Sequence, residues 1–158
     1  MLGLLANSDG RSEIVQAAVS VFLSEGVDLV LHCGDIGGRH VLDEIAPVGG
    51  AFVWGDRDHD RTGLMRHGLG LGLVCFGLLG DFAHAEKKLA IVHGHEKSIL
   101  KKLISEQQYD YILCGHEAKT EDQTVGKTRI LNPGPLYGPT RSAMVLDPFE
   151  GKVKIVAL

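Results

Sequence analysis

"VDLVLHCGDIGG", residues 27–38, runs from an apolar strand straight into an aspartate set between glycines. A carboxylate is poor core material, and the glycines let the backbone turn sharply. Asp35 is therefore expected just past the carboxyl end of a buried strand, where α/β sheets bind their ligands. Other strand ends repeat the arrangement. Asp9 follows Leu2–Ala6. Asp56 and Asp58 in "WGDRD" follow Ala51–Trp54. His93 and His95 in "IVHGH" follow Leu89–Val92, and His116 in "LCGH" follows Tyr111–Cys114. One such residue alone is most simply a turn residue or helix cap. Five strand ends that all supply carboxylate or imidazole point instead to a shared divalent-metal site.

The periodicity outward from this stretch gives the fold class. Glu13–Glu25 places Ile14, Val15, Ala18, Val19, Phe22 and Leu23 at helical spacing, with Ser12 as N-cap and Gly26 as stop. Val41–Ala46 reads as a short helix closed by Pro47. The first third is thus β-α-β-α-β, the signature of parallel strands with crossover helices. Beyond it, Leu71–Phe76 and Leu89–Val92 read as strands with little helix between them, and the greasy, glycine-rich stretch 68–80 as strand and loop. Ser98–Gln107 reads as a helix. Tyr111–Cys114, Thr128–Leu131, Ser142–Leu146 and Lys152–Val156 read as strands, with turns at Asn132-Pro133-Gly134-Pro135 and Asp147-Pro148. No linker interrupts residues 1–158, so one domain is expected, with two sheets face to face and helices outside.

Net charge is −4 and the basic residues are scattered, so no nucleic-acid surface is expected. No run reaches the ~20 apolar residues of a membrane span. The N-terminus lacks a basic n-region followed by a long apolar h-region. The three cysteines, Cys33, Cys75 and Cys114, are odd in number and lack CxxC spacing. A reducing, cytoplasmic location is the expectation.

In order, Asp9-Gly10-Arg11, Gly34-Asp35, Gly55-Asp56-Arg57-Asp58, His93-Gly94-His95, Gly115-His116-Glu117-Ala118 and the "ILNPGP" turn at 130–135 resemble the motifs of the calcineurin-like metallophosphoesterases. The small single-domain phosphodiesterase branch, which includes the retromer subunit of the Vps29 type, is the nearest resemblance. It covers nearly the whole chain. It implies an α/β fold, a four-layer α/β/β/α sandwich of two mixed sheets, with a dinuclear site at one sheet edge. It also implies hydrolysis of a phosphodiester or phosphomonoester, and hence a small phosphorylated substrate. The alternative it implies is a catalytically weak or inactive binding or scaffold protein of the Vps29 type, with a protein partner or a homo-oligomer.

The chain departs from the pattern at three ligand positions. Arg11 and Ala118 stand where the family has histidines, and Asp56 where it has asparagine. Both lost histidines serve the same ion, together with Asp9 and the bridging Asp35. The other ion keeps Asp35, Asp56, His93 and His116, so one ion (Mn, Zn or Fe) is expected rather than two. Arg11 has no lone pair to give a metal. It is read as pairing with Asp9 or Asp35 in place of the missing cation, as a bidentate phosphate clamp, or as a solvated first-turn residue. Arg57 and Arg39 either attract an anionic substrate or are simply solvated. The expected site is thus Asp9, Arg11, Asp56 and His93 for catalysis, Asp9, Asp35, Asp56, His93 and His116 for metal, and Arg11 and Arg57 for substrate. His95 is expected to support the ligands rather than join them, and His59 to be a surface loop residue.

Overall fold

Short Leu-, Val- and Ile-rich runs, buried on both faces, form the central strands of two sheets in the computed structural model, which describes residues 1–158. In chain order the elements are β1 (Leu2–Leu5), α1 (Ser12–Ser24), β2 (Leu29–His32), α2 (Arg39–Ile45), β3 (Gly50–Phe52), α3 (Arg61–Gly70), β4 (Val74–Cys75), β5 (Leu79–His84), β6 (Lys87–Val92), α4 (Lys97–Glu106), β7 (Tyr111–Leu113), β8 (Thr120–Val125), β9 (Thr128–Pro133), β10 (Ser142–Asp147) and β11 (Lys152–Ala157). The first sheet runs β11-β10-β1-β2-β3-β4 and the second β5-β6-β7-β9-β8. Strands β1 to β4 are parallel to one another, as are β6, β7 and β9, while β10, β11, β5 and β8 pair antiparallel.

Alternation along each central strand divides the core. In β1, Leu2 and Leu4 point between the sheets to meet Leu89 and Ile91 of β6, along with Leu113 and Met144. Leu5 points the other way, into the layer with Val15, Phe22, Leu42 and Leu64 from the helices. Ala90 and Val92 of β6 face Leu103 of α4. The result is the expected four-layer α/β/β/α sandwich. The parallel strands send their carboxyl ends to one edge, and the chain leaves three of them abruptly there. Asp9, Asp35 and His116 all have positive φ (46°, 56° and 64°), the left-handed region that non-glycine residues seldom occupy. Such backbone persists where the surrounding structure fixes it, and it concentrates at functional sites.

Several sequence expectations are corrected. Helix α3 was not anticipated, and its last three residues, Gly68–Gly70, open the stretch read as strand and loop. Its glycines, Gly63, Gly68 and Gly70, depress helix propensity, but packing overrides that: Gly68 lies where a Cβ would strike the Phe52 ring at 2.6 Å. The strand expected over 71–76 shrinks to Val74–Cys75. Strands β5 and β8 were not anticipated, because as sheet edges they are mostly exposed and lack an apolar pattern. Ser12 opens α1 instead of capping it: Arg11 holds the cap position and no side chain caps the helix.

Candidate functional site

At the carboxyl edge the two sheets are stitched by His93. Its Nδ1 lies 2.7 Å from the carbonyl oxygen of Cys33, across from one sheet to the other. A carbonyl can only accept, so Nδ1 carries the proton and donates. The neutral ring then presents its lone pair on Nε2, toward the site, and this is how metal-binding histidines are usually oriented. Gly34 makes the approach feasible. A Cβ there would lie 2.6 Å from His93 Nδ1, at a φ of +92°.

Two further donor atoms gather in front of that lone pair. Donor atoms of Asp56, His93 and His116 all lie within 4.8 Å of one another. His93 Nε2 is 3.0 Å from Asp56 Oδ1, and His116 Nδ1 is 3.3 Å from the same oxygen. Asp35 joins through His93, its Oδ2 3.3 Å from Nε2. Two imidazoles and two carboxylates form a donor set that suits Zn²⁺, Mn²⁺ or Fe.

The electrostatics reflect the crowding. Burial pulls the His93 pKa down, but hydrogen bonding to Asp35, the Cys33 carbonyl and the charges of Asp35 and Asp56 outweigh it, and the net shift is upward. Burial pushes the Asp35 carboxyl up, yet His93, the Arg57 backbone N–H and the Arg57 charge hold it below the usual carboxylate range. Asp56 likewise titrates low: burial and the charge of Asp35 are outweighed by its own backbone N–H, His93 and His116.

Asp9 stands apart from the imidazoles. Its Oδ2 accepts from Arg57 Nη1 at 2.8 Å and lies 3.5 Å from Arg11 Nη1. Arg57 also turns toward Asp35, with its backbone N–H donating to Oδ1 at 3.0 Å and Nε 3.8 Å from Oδ2. Arg11 donates to the Ser8 carbonyl at 3.2 Å and lies over the Tyr137 ring, 5.4 Å from its centroid. It is thus neither free in solvent nor the main partner of Asp9. That place belongs to Arg57, for which sequence left solvation open. Ala118, in the lost ligand position, is exposed.

A family model of the calcineurin-like phosphoesterase superfamily domain matches residues 2–148. The chain belongs to the calcineurin-like phosphoesterase superfamily. A curated phosphodiesterase from Methanocaldococcus jannaschii is 25% identical over 142 residues, covering 87% of this chain and 84% of that protein. Among solved structures, a novel archaeal phosphodiesterase superposes with a TM-score of 0.92 at 22% identity, covering 99% of each chain. Zinc-complexed Vps29 from Entamoeba histolytica superposes at 0.64 and 18% identity, covering 99% of this chain and 97% of that one. These two structural likenesses bear on the fold, and they agree with the calcineurin-like sandwich described above.

Some residues of this calcineurin-like site escaped the sequence reading. Asp58, grouped there with the strand-end acids, is buried and turned inward: its two oxygens accept the N–H groups of Gly37 (2.9 Å) and Gly55 (2.8 Å), bracing two site loops. Asn132 holds the His116 loop. Its amide donates to the carbonyls of Gly115 (3.0 Å) and Glu117 (3.1 Å), while its Oδ1 accepts the Gly134 N–H. The family-like "NPG" turn was the signal for it. Nothing in the sequence pointed to Tyr137. His95 lies beside the ligands, its ring centroid 5.4 Å from that of His93, and is not part of the close triad. His59 is exposed.

Proposed function

We propose that the chain, acting as one domain over residues 1–158, is a metal-dependent phosphoesterase with a single-ion site, hydrolysing small phosphodiesters or phosphomonoesters in a reducing cytoplasm. The mutual approach of Asp56, His93 and His116, with Asp35 behind them, carries this reading. These four residues would hold the ion, which supplies Lewis-acid polarisation of the phosphate and acidification of water. His93 brings its lone pair already oriented by Cys33. Asp9, beside the ion site, is placed to orient the attacking water. Arg57 and Arg11 both face Asp9, and their guanidiniums would stabilise charge on the phosphoryl oxygens. Three unpaired cysteines fit the proposed compartment. No helix is long and apolar enough to cross a membrane.

The phosphodiesterase relative supports choosing a diester as the first substrate. The direct test is hydrolysis of bis(p-nitrophenyl) phosphate with added Mn²⁺, alongside His93→Ala. Turnover that His93→Ala abolishes is the expected result, and turnover that survives it contradicts the proposal. A second reading, a Vps29-like binding protein, is favoured by the exposed side chains Leu69, Leu71, Val74, Leu78 and Leu79, which run from the end of α3 to the start of β5. Absence of any metal-dependent turnover would favour it.

A further inference from the structure

A cleft of about 400 Å³, lined in part by Arg57 and Asp58, adjoins the proposed ion site. Arg57 lines it and also reaches Asp9, so cleft and site share a wall. Its volume suits a group of sugar-phosphate size. Its walls carry three residues able to meet an anion: Arg57, Arg39 and His59. The acids there are already engaged. Both oxygens of Asp58 are taken by the Gly37 and Gly55 N–H groups. Asp60 caps α3 through the Gly63 N–H, at 3.0 Å, and touches Arg39 at 3.4 Å. That last pair is well exposed, so it contributes little and a better anion can displace it. Leu64 is the single apolar residue of the lining, and no Phe, Tyr or Trp is present for a base to stack on. A neighbouring groove shares Arg39 and Asp60 and extends the basic wall to Arg66.

From this cleft we infer a second-phosphate subsite: the preferred substrate is a phosphoester carrying a further phosphate on one of its alcohols, held by Arg39 and His59, while Arg57 on the shared wall faces the scissile phosphate. The inference rests on the phosphoesterase reading for its substrate and on the cleft alone for its site. A flat guanidinium meets a phosphate dianion with two parallel hydrogen bonds, whereas the same cleft offers little to an uncharged sugar hydroxyl.

The test compares two chromogenic diesters on the full chain with Mn²⁺: thymidine 5′-(p-nitrophenyl phosphate) and the same compound phosphorylated at its 3′ oxygen. The added phosphate is expected to lower KM about ten-fold, a typical return for one charge-assisted bidentate contact. Arg39→Gln should shrink that gap to roughly two-fold or less, and Arg39→Lys should restore part of it. Equal KM values in the unmodified protein, or a gap that survives Arg39→Gln, overturn the subsite. If neither ester turns over, the phosphoesterase reading fails and the subsite is still decided by calorimetry. Thymidine 3′,5′-bisphosphate binding more tightly than thymidine 5′-monophosphate, with the difference lost in Arg39→Gln, supports it, and equal binding overturns it.

Discussion

At one end of the site His93 Nε2 sits 3.0 Å from Asp56 and 3.3 Å from Asp35. At the other, Asp9 faces Arg57 at 2.8 Å and Arg11 at 3.5 Å. At both ends side-chain nitrogens face carboxylates. An imidazolium can give up its proton and offer the lone pair to a metal, whereas a guanidinium stays protonated and has none to offer. On the proposed single-ion reading the imidazole end exchanges proton for metal, whereas the guanidinium end carries fixed positive charge. On the same reading, Arg11 and Ala118 offer no lone pair at that end, and Arg57, turned toward Asp9 and Asp35, supplies the positive charge there.

The largest effect expected falls on the imidazole end. His93→Ala removes a ligand and the link between the sheets, and should lower kcat/KM on a diester by roughly a hundred-fold or more while the protein loses its metal on desalting. A variant that keeps both metal and rate breaks the contrast. Next comes the guanidinium end. Arg57→Gln should lower kcat/KM roughly ten- to a hundred-fold, and Arg11→Gln by less, because Arg57 makes the shorter contact to Asp9 and also reaches Asp35. Steady-state kinetics of the two variants give the order, and the reverse order would return the leading part to Arg11.

The same contrast explains what could be read from the sequence. Strand ends that carry Asp35, Asp56, His93 and His116 stand out because acids and imidazoles beside glycines interrupt apolar runs, and the fold brings those four together. The layers and the β-α-β start were legible for the same reason, since central strands are buried on both faces. The guanidinium end was not. Which of Arg11, Arg39 and Arg57 turns inward depends on long side chains whose backbones all lie at the surface. Tyr137 and the inward turn of Asp58 depend on loop conformations with no period to read. Helix α3 was hidden by glycines that suit its packing against Phe52, and β5 and β8 by their exposure at the edges.

A reconstruction sharpens the contrast further. Arg11→His combined with Ala118→His restores lone pairs at the guanidinium end, and should raise firmly bound metal from one equivalent toward two by elemental analysis. Metal content that stays at one would show that more than ligand type separates the two halves.

The smallest effect concerns support beneath the site. His32 is buried behind it, its Nε2 2.8 Å from Ser8 Oγ, and its pKa is lowered to about 3 by burial and then by the charge of His93, with Asp35 opposing. The unfolded chain takes up this proton near the ordinary value of about 6.5 and the folded protein does not. Stability is thus lost as pH falls through about 6.5 and continues to fall until about 3, by on the order of a few kcal/mol in total. His32→Gln should flatten the decline of melting temperature between about pH 6.5 and 4, a window set by these two values. An unchanged slope would mean that His32 does not stay neutral.

Metal stoichiometry tests the contrast between the two ends most directly. The full chain, loaded with excess Mn²⁺ or Zn²⁺, freed of loose ions by desalting and analysed by inductively coupled plasma mass spectrometry, should retain one equivalent per chain. His93→Ala treated the same way should retain none. Two tightly held equivalents in the unmodified protein, or one that remains in His93→Ala, would contradict a single-ion site faced by arginines.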